Sequence, residues 1–298
     1  MELRVLRYFL AVVQEETISG AAEAVHVTQP TLSRQMMELE EELGKTLFVR
    51  GKRKISLTEE GMFLRKRAQE IIALVDKTTS AFSAPAEELA GDIYIGGGET
   101  EAMRLVARAA CRMRSVHPHV VFHMFSGNAE DVMERIDRGL VDFAVFVDPV
   151  DLSRFDFLRL GLRDAWGVLM RRDCPLAARD SVRPEDLLGL PLLVSRQSMV
   201  GNEISGWMGG RAGELQIVGS YNLLYNASLM VEEGVGSALC LDRIIRISEG
   251  SPLCFRPLEP KIEVGLHVAW KKYQIFSRPA EVFLDFLKSE IAGPGERA

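Results

Sequence analysis

The sequence contains few cysteines, no long apolar run and no excess of basic residues. The four cysteines stand far apart, without a C-x-x-C pair: Cys111, Cys174, Cys240 and Cys254. That spacing excludes a disulfide scaffold and is typical of reduced thiols in the cytoplasm. No run reaches the roughly 18 apolar residues of a membrane span, and acidic residues follow the first apolar stretch, where a secretory signal would continue. We therefore expect a cytoplasmic protein that neither crosses a membrane nor is exported.

The charge of the chain is spread unevenly. Thirty-six Lys and Arg against 42 Asp and Glu give a net charge of −6, which argues against a uniformly basic nucleic-acid surface. The first 58 residues are neutral, however, and five of their basic side chains fall within residues 45–54, a stretch without an acid. Such a run occurs in solvated loops as well as in nucleic-acid contacts, so its surroundings must decide between the two.

With 298 residues, of which 47% are hydrophobic and 26% charged, the chain is long enough for two globular domains. The first 60 residues predict short helices in close succession. The first helix has its apolar residues at helical spacing: Leu3, Leu6, Leu10 and Val13. Ser19 is expected to cap a second helix over residues 20–25, and Thr28 a third helix that runs to about Leu43 and is followed by Gly44.

The third predicted helix has two different faces. Its buried stripe is expected to comprise Leu32, Met36, Leu39 and Leu43. The opposite face carries Ser33 and Arg34, with Gln29 at the N-terminal end, and Arg and Gln are the side chains that bind guanine and adenine in a DNA major groove. A plain solvated face is the alternative. The order of short helix, tight turn, outward-facing helix and two short strands around a basic tip favours a helix-turn-helix with a wing.

A long helix is predicted to follow. Thr58 is its expected cap, with Glu59 and Glu60 in the first turn, where the helix dipole favours acids. Its apolar positions have the heptad spacing of paired helices: Leu64, Ala68, Ile71, Val75, Thr78 and Phe82. Such a seam packs either on its own domain or against a second copy. Its length of about five turns, up to Pro85, favours a dimerising linker helix.

From Leu89 onward, predicted strands and helices alternate. Strands at residues 92–96, 120–126 and 143–147, separated by helices at 100–116 and 128–139, predict a βαβαβ unit with a parallel sheet. A second series has strands near 167–170, 192–195, 217–221 and 237–241, and helical stretches near 185–188 and 223–233. Strands near 253–258 and 264–270 and a helix at 278–291 complete the chain. The predicted fold class is therefore α/β, with two α/β lobes around a cleft after a helix-rich N-terminal part.

Together these features resemble the LysR-type transcriptional regulators over essentially the whole chain. The most specific stretch is residues 18–61, ISGAAEAVHVTQPTLSRQMMELEEELGKTLFVRGKRKISLTEEG. It is similar to the family's paired-alanine helix, its T/S-Q-P-x-L-S-R recognition segment, its L-E-x-x-L-G helix end and its L-F-x-R wing, which ends in L-T-x-x-G. Residues 175–177 and 186–193 are similar to the family's H-P-L-A and D-L-x-x-x-P-L-I stretches, although Cys174 replaces the usual histidine.

The resemblance implies an organisation and a function. It implies a winged helix-turn-helix at residues 1–58, a linker helix at 59–88 and an effector-binding domain at 89–298. That domain would consist of two Rossmann-like lobes, lobe I at about 91–161 and 267–298 and lobe II at about 162–266, joined by strands that cross near 160–163 and 266. The implied function is that of a sequence-specific DNA-binding regulator without catalysis or cofactor, controlled by a small molecule between the lobes. The implied partners are duplex DNA with a dyad-symmetric site, a second copy of the chain, a homotetramer and RNA polymerase.

The resemblance also assigns DNA contacts residue by residue. They are Thr28, Gln29, Pro30, Thr31, Ser33 and Arg34 in the helix, and Arg50, Lys52, Arg53 and Lys54 in the wing. The helix would lie in a major groove, Arg53 would reach a minor groove, and Lys52 and Lys54 would meet phosphates. A dimer would place its two recognition helices about 34 Å apart, or a multiple of that distance.

The effector is expected beyond the carboxyl ends of the strands, where helix N-termini converge. The expected contacts are Glu99, Thr100, Glu101, Ser126, Asn128, Val147, Ser195, Arg196, Asn202, Tyr221 and Asn222; of these, Thr100, Ser126 and Ser195 match effector positions of the family. Glu99 and Glu101 either satisfy a helix dipole or disfavour an anion and select a cationic or polyhydroxylic ligand. Arg196 either restores an anion site or pairs with one of those glutamates.

Other chemistries find little support. The glycines at 96–98 lack the remainder of a phosphate loop. His117, His119 and His123 are not expected to share a metal ion, because a turn and the spacing along one strand separate them. Cys111, expected in the core, and Cys240, in an apolar strand, do not suggest peroxide sensing. The alternative function is a solute-binding or enzyme domain of periplasmic-binding-protein type that carries a helical extension.

Overall fold

In a computed structural model the chain forms two compact units, Met1–Ser83 and Ala84–Ala298. The structure describes residues 1–51, 54–83, 88–196 and 202–292. The first unit begins with helices α1 (Leu3–Glu15), α2 (Ile18–Ala24) and α3 (Gln29–Leu43). The second unit contains a nine-stranded sheet. The predicted fold class, a helical N-terminal part followed by α/β lobes, is confirmed.

The three N-terminal helices pack around a common apolar core. Leu6, Phe9 and Val12 form the buried stripe of α1. Of the other positions with the predicted helical spacing, Leu10 and Val13 are half-buried and pack against this core, whereas Leu3 is exposed. Thr17 rather than Ser19 caps α2, because its hydroxyl accepts a hydrogen bond from the Gly20 amide at 3.1 Å.

Helix α3 begins and ends as the sequence predicts. Gly44 follows it with a left-handed φ of 61°, a conformation that glycine adopts without strain. Leu32, Met36 and Leu39 are buried, but Leu43 is exposed, since the helix ends before its last turn reaches the core. Thr28 occupies the cap position without accepting an amide, and its hydroxyl is hydrogen-bonded to that of Thr31 at 2.7 Å instead.

The wing is the predicted antiparallel hairpin of β1 (Phe48–Arg50) and β2 (Ile55–Leu57). The Glu40 carboxylate ties it to α3, because Oε1 accepts from the amides of Leu47 at 2.6 Å and Phe48 at 3.2 Å. The expected DNA contacts Lys52 and Arg53 lie outside the described residues, as does the side chain of Arg50.

The long helix α4 (Glu59–Ser83) starts as predicted, since the Thr58 hydroxyl accepts from the Gly61 amide at 3.0 Å. Of the predicted seam, Leu64 and Ala68 are buried in the core of the same unit, and Ile71 is half-buried against it. Ile72, which the predicted seam does not include, is buried as well. The first half of the predicted seam therefore packs on its own domain, which was one of its two interpretations. The second half is more open, and Phe82 is 87% exposed.

Lobe I of the second unit has the predicted βαβαβ order. Its parallel strands are β3 (Gly91–Gly97), β4 (Val120–Ser126) and β5 (Phe143–Val147), in the order β4-β3-β5. Helices α5 (Met103–Val116) and α6 (Ala129–Asp137) connect them. Helix α5 begins three residues after Thr100, so the predicted helix start was too early. Cys111, expected in the core, is exposed on α5.

Two long strands run through both lobes. They are β6 (Phe155–Arg171) and β11 (Glu263–Lys271). They pair with each other from Phe155–Lys271 to Ala165–Glu263, and β6 continues beside strands of lobe II. The predicted strand near 167–170 is thus only the end of a 17-residue strand.

Lobe II completes the sheet with β7 (Leu192–Ser195), β8 (Ile217–Tyr221), β9 (Ser237–Leu241) and β10 (Leu253–Pro257). The strand order is β4-β3-β5-β11-β6-β9-β7-β8, with β10 pairing on β6. The remaining helices are α7 (Asn202–Trp207), α8 (Leu224–Glu232) and α9 (Arg278–Ile291). Short 3₁₀ turns lie at Pro175–Ala178, Pro184–Leu187 and Arg211–Glu214. The helix predicted near 185–188 is one of these turns, and α7 was not predicted.

Gly167 permits the close pairing of β6 and β10, and we expect Gly167→Ala to destabilise the protein. A Cβ there would lie 2.2 Å from the Phe255 ring and 2.4 Å from the Arg256 carbonyl oxygen, which is backbone and cannot easily move. We expect a loss of about 1–3 kcal/mol in the free energy of unfolding, measured by urea denaturation.

The matched control is Gly213→Ala in the same lobe. Gly213 is exposed, its φ lies outside the left-handed region, and no described atom lies within 4 Å of the added Cβ. This substitution should stabilise slightly, by about 0.4–1 kcal/mol, because it restricts the unfolded chain. Equal changes in the free energy of unfolding for the two substitutions would contradict the claim that Gly167 is needed for the close pairing of β6 and β10.

Candidate functional site

The face of α3 that points away from the core is polar and open. Thr28, Gln29, Pro30 and Thr31 are exposed, and Ser33 is half-buried. The side chain of Arg34 is 78% exposed, and its Nε donates to Glu38 Oε1 at 2.8 Å. An ion pair between two exposed side chains contributes little stability, so the guanidinium can exchange Glu38 for another acceptor.

The described part of the wing adds a second exposed cation. The ammonium of Lys54 pairs with the carboxylate of Glu16, at the end of α1, and both side chains are open to solvent. Lys45 lies 3.7 Å from Glu60, and that pair is exposed as well. These exposed cations are therefore paired with surface carboxylates, and each cation can exchange its carboxylate for another acceptor.

In the second unit a cavity of about 100 Å³ lies between the lobes, at the carboxyl ends of β3, β5, β7 and β8. That volume holds several water molecules or a small organic molecule. Seven of the expected effector contacts line it: Glu99, Asn128, Val147, Ser195, Arg196, Tyr221 and Asn222.

The other expected contacts lie elsewhere. Thr100 is buried, and its hydroxyl donates to Asp164 instead of facing the cavity. Glu101 pairs with Arg104, whose guanidinium holds the pKa of that carboxyl below its usual value. Ser126 is exposed at the end of β4, outside the cavity wall, and the side chain of Asn202 lies outside the described residues.

Glu99 links the two lobes. Its Oε2 accepts a hydrogen bond from the backbone amide of Leu224, the first residue of α8. Glu99 therefore satisfies a helix N-terminus, which was one of its two interpretations, but the helix belongs to lobe II and is not the one that follows Glu99 in the chain. Arg196 forms no ion pair with Glu99 or Glu101 among the described residues.

A second link passes through Asp164 on β6, which is only 1% exposed. Its Oδ1 accepts from Arg243 at 3.1 Å, and its Oδ2 accepts from Thr100. Burial raises the pKa of Asp164, and the hydrogen bond from Thr100 opposes this shift. Asp164 was not predicted, although an acid in the apolar stretch LGLRDAWGVLM was a signal of a buried polar contact.

Sequence reasoning also missed part of the cavity wall. The lining residues that it did not indicate are Pro149, Trp166, Glu203, Ile204, Leu224, Cys240, Leu241 and Ile244. Gly98, Gly127 and Asp148 also line the cavity, and they lie at strand ends that the sequence does place at the cleft. Trp166 lies on the crossing strand β6, and its buried indole N–H makes no hydrogen bond to any residue that the structure describes.

The wall of the cavity is acidic. It contains the carboxylates of Glu99, Asp148 and Glu203 and one cation, Arg196. His267 Nε2 lies 3.0 Å from one Asp148 oxygen and 3.1 Å from the other, and the ring donates this hydrogen bond because an ionised carboxylate only accepts. Desolvation by surrounding atoms and the charge of Asp148 raise the pKa of Glu203.

Both units match known families. Residues 3–62 match the model described as bacterial regulatory helix-turn-helix protein, lysR family, and residues 86–292 match the LysR substrate binding domain. The chain belongs to the LysR family of transcriptional regulators. Like its relatives, this LysR-type regulator has a DNA-binding and an effector-binding domain, and it is not an enzyme. The alternative of a solute-binding or enzyme domain is wrong, because the helical part is itself the family's DNA-binding domain.

Named relatives support the assignment over most of the chain. The HTH-type transcriptional regulator BsdA of Bacillus subtilis is 27% identical and covers 96% of this chain and 99% of its own. The HTH-type transcriptional regulator IlvY of Escherichia coli is 31% identical over 70% of each chain. The crystal structure of full-length CbnR with its target DNA shares the fold, with a TM-score of 0.76 at 18% identity, and covers 97% of this chain and 100% of that one.

Among the residues that the structure describes, two features are absent, a group of metal ligands and a membrane-spanning helix. Within the described ranges, no three His, Cys, Asp or Glu side chains are grouped to hold a metal ion. His119 and His123 pair instead with separate carboxylates, those of Glu88 and Asp92. Among the same residues, no helix is both long and apolar enough for a membrane span.

We expect Cys240 of this regulator to resist alkylation, although it lines the cavity. Burial raises the pKa of its thiol to about 12, so about one molecule in ten thousand carries the reactive thiolate at pH 8. Iodoacetamide should label the exposed Cys111 of the native protein and leave Cys240 unlabelled, as measured by peptide mass spectrometry. The denatured protein, labelled at all four cysteines, is the control, and native labelling of Cys240 at the rate of Cys111 would contradict this burial.

Proposed function

We propose that this LysR-type regulator binds a dyad-symmetric operator as a homodimer, with α3 in the major groove. The observation that carries the proposal is the division of α3 into two faces. Leu32, Met36 and Leu39 hold the helix on the core, which leaves Gln29 and Arg34 exposed. These two side chains form bidentate hydrogen bonds with adenine and guanine. We include Thr28, Pro30, Thr31 and Ser33 in the same contact face.

The wing is proposed to bind the DNA backbone. Lys52 and Lys54 would meet phosphates together with Arg50, and Arg53 would enter the minor groove. The exposed, exchangeable pair of Lys54 with Glu16 supports the part of this proposal that concerns a described residue. Phosphate contacts of this kind give affinity and set the register, while base contacts give specificity.

The dimer is proposed to form through α4. Its first half is used by its own domain, but apolar side chains remain exposed along the helix: Met62, Phe63, Leu74 and Phe82. Burial of these side chains against a second copy would stabilise a dimer.

We propose domain boundaries at residues 1–58, 59–88 and 89–298, with lobe I at about 91–161 and 267–298 and lobe II at about 162–266. Two dimers would form a tetramer, and RNA polymerase is the proposed further partner, in the cytoplasm where the DNA is.

The cavity in the second unit is proposed as the effector site. Its wall takes residues from both lobes, and the links of Glu99 to Leu224 and of Thr100 to Asp164 also join the lobes. An effector that changes the spacing of the lobes would therefore have to stretch or break these two hydrogen bonds. It can alter operator binding only through a difference in affinity for the two arrangements. Asn128, Val147, Ser195, Arg196, Tyr221 and Asn222 are the proposed contacts that already line the cavity.

The experiment for DNA recognition is footprinting on the duplex upstream of the protein's own gene, followed by titration of Arg34→Ala. Loss of one bidentate base contact costs about 1–3 kcal/mol of discrimination, or about 5- to 150-fold. We expect the preference for the protected site over random duplex to fall by that factor, while random binding is nearly unchanged. Lys288→Ala, an exposed cation of the second unit, is the control. Unchanged discrimination by Arg34→Ala would show that this face of α3 does not read bases.

Lys54→Ala should behave differently. Removal of a phosphate contact weakens binding to every duplex alike and lowers the slope of log K against log salt concentration by about 0.9. A salt series with the protected site and with random duplex measures both effects, again beside Lys288→Ala. A selective loss at the protected site, with an unchanged salt slope, would place Lys54 at a base and not at a phosphate.

A further inference from the structure

Two backbone amides next to cavity residues already donate to side chains of the chain itself. Asn128 Oδ1 accepts from the Asp131 amide at 2.8 Å, and Asn222 Oδ1 accepts from the Leu223 amide at 3.0 Å. Backbone amides at helix N-termini are the usual binding groups for anions. A ligand anion at either of these amides would have to displace the internal acceptor.

The N-terminus of α8 is the clearest case. The carboxylate of Glu99 reaches it from lobe I and accepts the amide hydrogen bond of Leu224. This is the position that a ligand carboxylate would take. The site thus contains its own anion, and a second one beside it would be repelled.

A second carboxylate of the wall has no partner of its own. Glu203, in the first turn of α7, makes no hydrogen bond or ion pair with any described residue. Asp148, held by His267 from the crossing strand β11, lines the same cavity as Glu203, and its charge helps to raise the pKa of Glu203. Arg196 forms no ion pair with either acid in the described structure. A cation between Glu203 and Asp148 would remove their mutual repulsion.

Much of the remaining wall is apolar and aromatic. This part comprises Val147, Pro149, Ile204, Leu241 and Ile244, with the rings of Trp166 and Tyr221. The Tyr221 hydroxyl already donates to the Leu239 carbonyl at 2.7 Å, so the ring offers mainly its faces. The unpaired indole N–H of Trp166 would be satisfied by one neutral acceptor on the ligand, without added negative charge.

We propose that the effector is a small organic cation, with an ammonium or guanidinium group on an apolar body that carries one neutral acceptor for the Trp166 N–H, and that Glu203 and Asp148 hold its charge. The proposal rests on the proposed role of this cavity as the effector site. The two interpretations of Glu99 then hold together. Its carboxylate caps the N-terminus of α8, and for that reason a ligand anion cannot bind at this N-terminus.

Three probes of similar shape test the charge of the ligand: benzylamine, benzyl alcohol and benzoate. Binding to the full-length protein is measured by calorimetric titration and by the shift of the melting temperature at neutral pH. We expect saturable binding of benzylamine, at least about tenfold tighter than that of either other probe. Glu203→Gln should weaken benzylamine binding about tenfold or more, because hydrogen bonds to a charged group are the stronger ones, while benzyl alcohol binding should change little.

Glu249→Gln is the matched control, an exposed glutamate of the same lobe that lies outside the cavity wall. It should leave benzylamine binding unchanged, and unfolding curves of all variants confirm that each one folds. Tighter binding of benzoate than of benzylamine, no saturable benzylamine binding, or equal effects of Glu203→Gln and Glu249→Gln would each overturn the proposal.

Footprinting separates this proposal from the one on which it rests. Benzylamine that binds with the expected Glu203 dependence but leaves the operator footprint unchanged would support the cation site and contradict its role as the effector site. A footprint that responds to benzoate and not to benzylamine would retain the effector cavity and overturn the cation. A footprint that responds to benzylamine in the parent protein, but not in Glu203→Gln, would support both.

Discussion

The antiparallel pairing of β6 with β11 is the constraint on which the rest of the effector-binding domain depends. Both strands belong to two lobes at once, and their ladder joins the two parallel sheets into one. Polar groups placed on these strands organise the region between the lobes. Asp164 binds Thr100, Trp166 forms part of the cavity wall, and His267 holds Asp148. A shift of the β6–β11 register would move all three groups together, because neighbouring residues of a strand point to opposite faces.

Much of the fold could be predicted because its local patterns agree with its tertiary packing. Helix α9 and strands β4, β5, β7, β8 and β9 occupy the predicted residues, since apolar runs of the right length are bounded by turn residues there. Strand β6 was shortened in the prediction because charged residues such as Arg159 and Arg163 interrupt its apolar pattern. They are tolerated where the crossing strand is open to solvent. Leu43 fits the helical period of its stripe and is nevertheless exposed, because periodicity gives a direction but not the extent of the neighbouring core.

The candidate site was predictable to the extent that it follows from strand ends. Glu99, Val147, Ser195 and Tyr221 line the cavity because each lies at or just beyond the carboxyl end of a strand. Glu203 could not be found in this way, because it lies on α7, a helix of six residues that has no clear apolar period. Thr100 fits the rule and still faces Asp164, since the buried carboxylate needs a hydrogen-bond donor and the Thr100 hydroxyl supplies it.

In the DNA-binding domain, Arg34 pairs with Glu38 and Lys54 pairs with Glu16. These two carboxylates compete with DNA for the same cations. A phosphate or base that takes one of these cations must displace a carboxylate, so each contact is an exchange and not a simple gain. The penalty is the same on every duplex, whatever its sequence. Because an exposed ion pair contributes at most about 1 kcal/mol, the proposed exchange would weaken binding to random and specific duplexes alike by a small factor.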